Sequence, residues 1–269
     1  MPAKQRSLPR QFTPIAATQQ LDLLVSGCSY TWNNSETESV TWPYYLRDLA
    51  GFDRVVDCSQ PGSGYNHTHT AVVTELETNT ELTPESTLVV IMWSGNERVD
   101  ITADRDLVES CTDLEIPDLG AGLSSLNLTS VTSLNLFNRP SDWRNRHQRE
   151  RNADVAHLRD RYGRLISTRA QVLESAVRLI SLAGYLDSRG FDYVFLDWDD
   201  SRHSILIPQL DPWAQGRFAD IETLGSWASR RQQRIPNDGH PSPDAHLSWT
   251  QEVLIPYLIN NNYLQLIST

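Results

Sequence analysis

Five short polar stretches carry the side chains that acyl-transfer chemistry requires. They are Gly27-Cys28-Ser29-Tyr30-Thr31, Ser59-Gln60-Pro61-Gly62-Ser63-Gly64-Tyr65-Asn66, Ser94-Gly95-Asn96-Glu97, Asp197-Trp198-Asp199-Asp200 and Pro236-Asn237-Asp238-Gly239-His240-Pro241. Together they offer a hydroxyl nucleophile, an imidazole to take its proton, carboxylates to orient that imidazole, and amide donors for an oxyanion. A serine behind a glycine is also an ordinary turn or helix cap, so Ser29 gains meaning only from where the other stretches fall. Its neighbour Cys28 would point to the opposite face of an extended chain.

The remaining chemistry-bearing residues sort by the same test. His246 is a second imidazole, but it falls in the first turn of an expected helix, so His240 is the preferred base. In an extended segment, residues two apart point the same way with Cα atoms about 6.5 Å apart, which brings Asp238 within reach of the His240 ring. Asn237 cannot bear the charge that steadies an imidazolium. Asp197, Asp199, Asp200 and His203 are metal-ligand types, yet such groups at a strand end read as a solvated rim, and no metal is expected. Gly62 and Gly64 lack the third glycine or the Lys-Ser/Thr pair of a phosphate loop, so no nucleotide cofactor is expected. Tyr30, Trp32 and Trp93 flank the stretches and suit either stacking on a sugar ring or packing in the core.

What must position these residues is a set of apolar runs at 21–26, 54–59, 87–93 and 191–198, which read as buried strands. Helical patterns lie between them. Trp42, Tyr45, Leu46 and Leu49 share a face behind a Thr41 cap, with Pro43 in the first turn. Asn66 caps a second helix to about residue 76. A third, 165–186, has Val172, Leu173, Ala176, Val177, Ile180 and Ala183 at helical spacing and ends at Gly190. A last helix starts at Pro243 behind Ser242 and runs through Leu258 with a kink at Pro256. Strands alternating with helices predict a three-layer α/β/α sandwich with a mostly parallel sheet. Its ligand site would lie outside the carboxyl ends of the strands, where the five polar stretches converge. The expected organisation is an arm over 1–20 and a single domain over 21–269. Insertions at about 101–163, a β-hairpin plus a lid, and about 199–235 break the alternation.

Composition sets outer limits. A chain of 269 residues with 39% hydrophobic residues and eight Trp can bury a full core. A formal net charge of −11 repels phosphate backbones and argues against nucleic acid as a partner. The basic cluster Arg144, Arg146, Arg149 and Arg151 reads as a solvated face. Three cysteines without a CxxC spacing indicate neither a disulfide framework nor a zinc site. The N-terminal arm lacks the apolar centre of a signal peptide, and no run approaches the ~18 apolar residues of a membrane span. These features predict a cytoplasmic or virion-associated protein without membrane contact, whose Pro-rich arm is available to dock on a protein partner.

The order of the blocks "GCSYT", "SQPGSGYN", "WSGNE" and "DGHPSP" resembles the SGNH (GDSL-like) hydrolase superfamily, of the kind found in bacteria and their phages. In that superfamily a serine follows the first strand, a glycine the second and an asparagine the third, and Asp and His precede the last helix. The resemblance spans most of the chain outside the arm and the insertions. This sequence has Gly-Cys-Ser where Gly-Asp-Ser is usual, Gly95 directly before Asn96, and Asp238 two residues rather than three from His240. The resemblance implies the flavodoxin-like SGNH fold and a serine esterase acting on a small-molecule or glycan ester, O-acetylated carbohydrate included. Ser29 would be the nucleophile, His240 the base and Asp238 its orienting acid. The Ser29 N–H, Gly64 or Gly62, and the Asn96 amide would form the oxyanion hole. The alternative is a structural or binding protein with little or no activity, such as a phage virion component; fold alone does not separate the two.

Overall fold

The computed structural model describes residues 12–14, 21–33, 40–94, 98–104, 128–135, 168–198, 217–236 and 239–266. Its centre is a sheet of four parallel strands, β2 (Asp22–Ser26), β3 (Arg54–Asp57), β4 (Thr87–Trp93) and β7 (Asp192–Asp197), in the order β3-β2-β4-β7. β2, β4 and β7 are buried runs apolar on both faces, as a sheet covered on both sides demands, whereas β3, Arg-Val-Val-Asp at the sheet edge, is half-buried. Alternation then divides them. Leu23, Val25, Leu88, Val90, Met92, Val194 and Leu196 join one core cluster; Leu24, Val89, Ile91, Trp93, Tyr193 and Phe195 join the other.

Helices cover each face. On the first lie α1 (Trp42–Ala50), α4 (Leu224–Arg230), α5 (Pro243–Trp249) and α6 (Ile255–Asn260); on the second lie α2 (Tyr65–Thr78) and α3 (Thr168–Arg189). The result is an α/β fold with an all-parallel sheet. β2 is followed by β3 on one side and β4 on the other, so chain order reverses between β2 and β4. The carboxyl ends of those two strands flank the crevice that such a reversal opens.

Several local expectations change. α2 begins at Tyr65 with Gly64 as its cap, so Asn66 is inside the helix. Thr41 precedes α1 as expected, but its hydroxyl donates to the Thr31 carbonyl (2.7 Å) instead of capping the helix. On α3 the buried stripe is Ser175, Ala176, Leu179, Leu182, Ala183 and Leu186, whereas Leu173 (65% exposed), Val177 (55%) and Ile180 (40%) face outward. The last helix does start at Pro243 with the Ser242 hydroxyl accepting from Ala245 N–H. Around Pro256 it widens into a π turn, Thr250–Leu254, between α5 and α6, which accommodates the N–H that proline lacks.

Outside the main sheet, β1 (Phe12–Pro14) pairs antiparallel with β8 (Leu264–Leu266). This part of the N-terminal arm is therefore docked on the chain's own C-terminal strand. β5 (Arg98–Asp104) pairs antiparallel with β6 (Leu128–Asn135). Residues 217–235 are built into the domain: Phe218 bridges Phe195 in parallel, and Ala219, Leu224, Trp227 and Ala228 are core residues. No helix among the described residues is long and apolar enough to cross a membrane.

Candidate active site

From residue 21 to residue 31 every side chain is buried except Ser29. The turn that follows β2 is fixed by Thr31 and Trp32 N–H donating to the Cys28 carbonyl (2.8 and 3.0 Å), while Cys28 and Tyr30 anchor in the core. Ser29 is thus presented at the carboxyl edge of the sheet by neighbours that cannot follow it outward. Gly27 has to be glycine, because a Cβ there would meet the Met92 carbonyl oxygen at 2.7 Å.

The loop after β3 is tied to that turn. The Gly27 carbonyl accepts from Gln60 N–H (3.1 Å) and from the Ser63 hydroxyl (2.8 Å). Gly62 makes the left-handed corner of this loop (φ 78°), and Gly64 caps α2. At the root of the loop, Asp57 accepts from the Ser59 N–H (2.9 Å) and the Ser59 hydroxyl. Desolvation pushes the Asp57 carboxyl up to about 6 despite these hydrogen bonds.

The third part arrives from the far end of the chain. His240 Nε2 lies 2.8 Å from Ser29 Oγ, across 211 residues of sequence. Its loop is a tight turn, closed by an Arg234–Pro241 bridge, Ile235 N–H to the His240 carbonyl (2.7 Å) and Gly239 N–H to the Ile235 carbonyl (3.1 Å). Gly239 is left-handed (φ 77°). At Gly239 the backbone therefore departs from the extended conformation expected there. Asp238 and Asn237 lie outside the described residues, as do Asn96, Asp199, Asp200 and His203.

The other candidates separate cleanly. His246 is buried, its Nδ1 accepts from Trp42 N–H (3.3 Å) at the start of α1, and burial with His240 nearby pushes its pKa down to about 3. It is a neutral structural acceptor that joins α5 to α1. Trp93, 1% exposed, packs on Phe195 and donates Nε1–H to Ser175 Oγ (3.2 Å), so it is a core residue and not a substrate platform. Tyr30, 6% exposed, is likewise in the core, with its ring 5.4 Å from that of His240 and 5.0 Å from that of Trp198. Trp32 is half-buried beside the turn. Asp197 is buried at the end of β7 rather than on a solvated rim.

One residue has no signature in the sequence. Arg234 donates from Nη1 to the Tyr30 hydroxyl (3.1 Å) and to the Gly239 carbonyl, from Nη2 to the Gly225 carbonyl (2.8 Å), and from Nε to Ser229 Oγ (2.8 Å). No motif or spacing marks it, since its partners meet only in the fold. A serine hydroxyl paired with an imidazole at the reversal point of a parallel sheet has the first two components of a nucleophilic site. No family model, curated protein or solved structure matches the chain.

Proposed function

We propose that the protein is a serine esterase of the SGNH type, in which Ser29 attacks an ester carbonyl and His240 moves the proton. The observation that carries this reading is the 2.8 Å approach of His240 Nε2 to Ser29 Oγ. In the first half-reaction the Ser29 Oγ–H passes its proton to Nε2 as the Oγ–carbonyl bond forms. The tetrahedral oxyanion takes hydrogen bonds from the Ser29 N–H, from the N–H of Gly64 at the start of α2 or of Gly62 in the loop before it, and from the Asn96 amide. Collapse expels the alcohol, which His240 protonates. In the second half-reaction water, deprotonated by the same imidazole, releases the acid and restores Ser29. Asp238 is the acid that orients His240 and compensates its charge.

The substrate class is a small-molecule or glycan ester, with O-acetylated carbohydrate as the preferred example. Hydrolysis of p-nitrophenyl acetate by the wild type, lost in Ser29→Ala, tests the reading. Equal rates in the two proteins would remove Ser29 from the chemistry.

A further inference from the structure

Two loops far apart in sequence must hold a serine and a histidine within hydrogen-bonding distance. The serine side is braced by burial of Cys28, Tyr30 and Thr31 and by the bonds of the Gly27 carbonyl. The histidine side is a short turn with an exposed left-handed Gly239. Besides the His240–Ser29 hydrogen bond and the Tyr30–His240 ring contact, a guanidinium joins this turn to the rest of the site. Arg234 bonds the Gly239 carbonyl, adjacent to His240, and the hydroxyl of Tyr30, adjacent to Ser29, from the same nitrogen. Its other nitrogens hold Gly225 and Ser229 of α4. The Gly225 N–H in turn donates to the Trp198 carbonyl at the end of β7 (2.9 Å), and a Cβ on Gly225 would sit 2.5 Å from that oxygen. The clamp is therefore anchored to α4, which is itself tied to the residue that follows β7.

We infer that Arg234 is a positioning residue, a planar fork that sets the distance between Ser29 and His240 by tying the residue next to each to one rigid base. This inference rests on the serine-esterase reading of the pair. Arginine suits the task because its donors diverge in fixed directions. A lysine ammonium at the same place could serve the Tyr30 and Gly239 side or the Gly225 and Ser229 side, but not both. Misplacing a reacting group by about 1 Å costs on the order of 10²-fold in rate, and the loss falls on turnover and not on binding.

The test uses full-length Arg234→Met, Arg234→Lys and Tyr30→Phe, the last removing one strand of the clamp while leaving the other three bonds. Hydrogen exchange over residues 235–241 and p-nitrophenyl acetate kinetics are measured on each. Arg234→Met is expected to speed exchange in that segment, with β4 unchanged, and to lower kcat on the order of 10²-fold at a KM within about threefold of wild type. Arg234→Lys is expected to recover little of this, and Tyr30→Phe to fall between it and wild type. Wild-type exchange in Arg234→Met, or faster exchange with undiminished kcat in folded Arg234→Met and Tyr30→Phe, would overturn the inference. An inactive wild type would instead overturn the esterase reading, and the positioning role with it.

Discussion

Replacing Gly27 with alanine tests how the nucleophile is held. The added methyl would lie 2.5 Å from Thr31 Oγ1, 3.1 Å from Thr31 Cβ and 2.7 Å from the Met92 carbonyl oxygen. Ordinary contact begins at 3.4 Å, so against Met92 alone the two groups must part by 3.4 − 2.7 = 0.7 Å. Met92 belongs to β4, which is hydrogen-bonded between β2 and β7, and it cannot retreat cheaply. The compliant element is the 28–31 turn, and Ser29 moves with it. A displacement of that size stretches the 2.8 Å contact with His240 beyond a good hydrogen bond. Turnover should fall on the order of 10²-fold with KM little changed. Overpacking should cost about 1–3 kcal/mol, a Tm drop of about 3–10 °C. Steady-state kinetics with p-nitrophenyl acetate and thermal unfolding read both effects. A folded Gly27→Ala protein with kcat within about threefold of wild type would refute the view that the close fit of Gly27 against Met92 and Thr31 sets the position of Ser29.

Two further predictions concern pH. His246 and His67 are pushed down to about 3 and about 4, so on unfolding each takes up a proton below about pH 6.5. Stability they permit at neutral pH is lost as pH falls through that range, by up to about 1.4 kcal/mol per pH unit per histidine. His246→Asn keeps an acceptor for Trp42 N–H without titrating. Urea midpoints from pH 7 to 4.5 should show lower stability at pH 7 but a shallower acid limb, and an unchanged slope would contradict the assignment. Asp57 has the opposite sign. Its carboxyl is raised from 3.8 to about 6, so stability falls as pH rises through that window, and at pH 8 the ionised group costs up to about 3 kcal/mol. Asp57→Asn, which retains an oxygen for Ser59 N–H, is expected to be more stable than wild type at pH 8; a less stable variant would show that the hydrogen bonds of the carboxylate outweigh its desolvation.

The inner strands are legible because burial on both faces writes itself as an unbroken apolar run, and β4 matches its expected limits of 87 and 93. Ser29 and His240 were legible as types that follow structural elements, although nothing local could measure the distance between them. Other features depend on tertiary context. The start of α2 differs from the expectation because Gly64 caps it without a side chain, while Asn66, a good capping residue, lies past the cap and inside the first turn. Leu173, Val177 and Ile180 satisfy helical periodicity but sit beside the buried stripe, not on it. At Gly239 the extended expectation gives way to a left-handed conformation, the one that the Asp-Gly turn dipeptide favours. Arg234 could not be found at all, since Tyr30, Gly225, Ser229 and Gly239 become its partners only after folding.

Activation of Ser29 by His240 can be read by covalent labelling without knowledge of the natural substrate. The protein is treated with a fluorophosphonate probe and the adduct is located by mass spectrometry, in wild type, Ser29→Ala and His240→Ala. One adduct is expected, on Ser29, absent from Ser29→Ala and strongly slowed in His240→Ala. No adduct on the wild type, an adduct on another residue, or undiminished labelling of Ser29 in His240→Ala would contradict that activation.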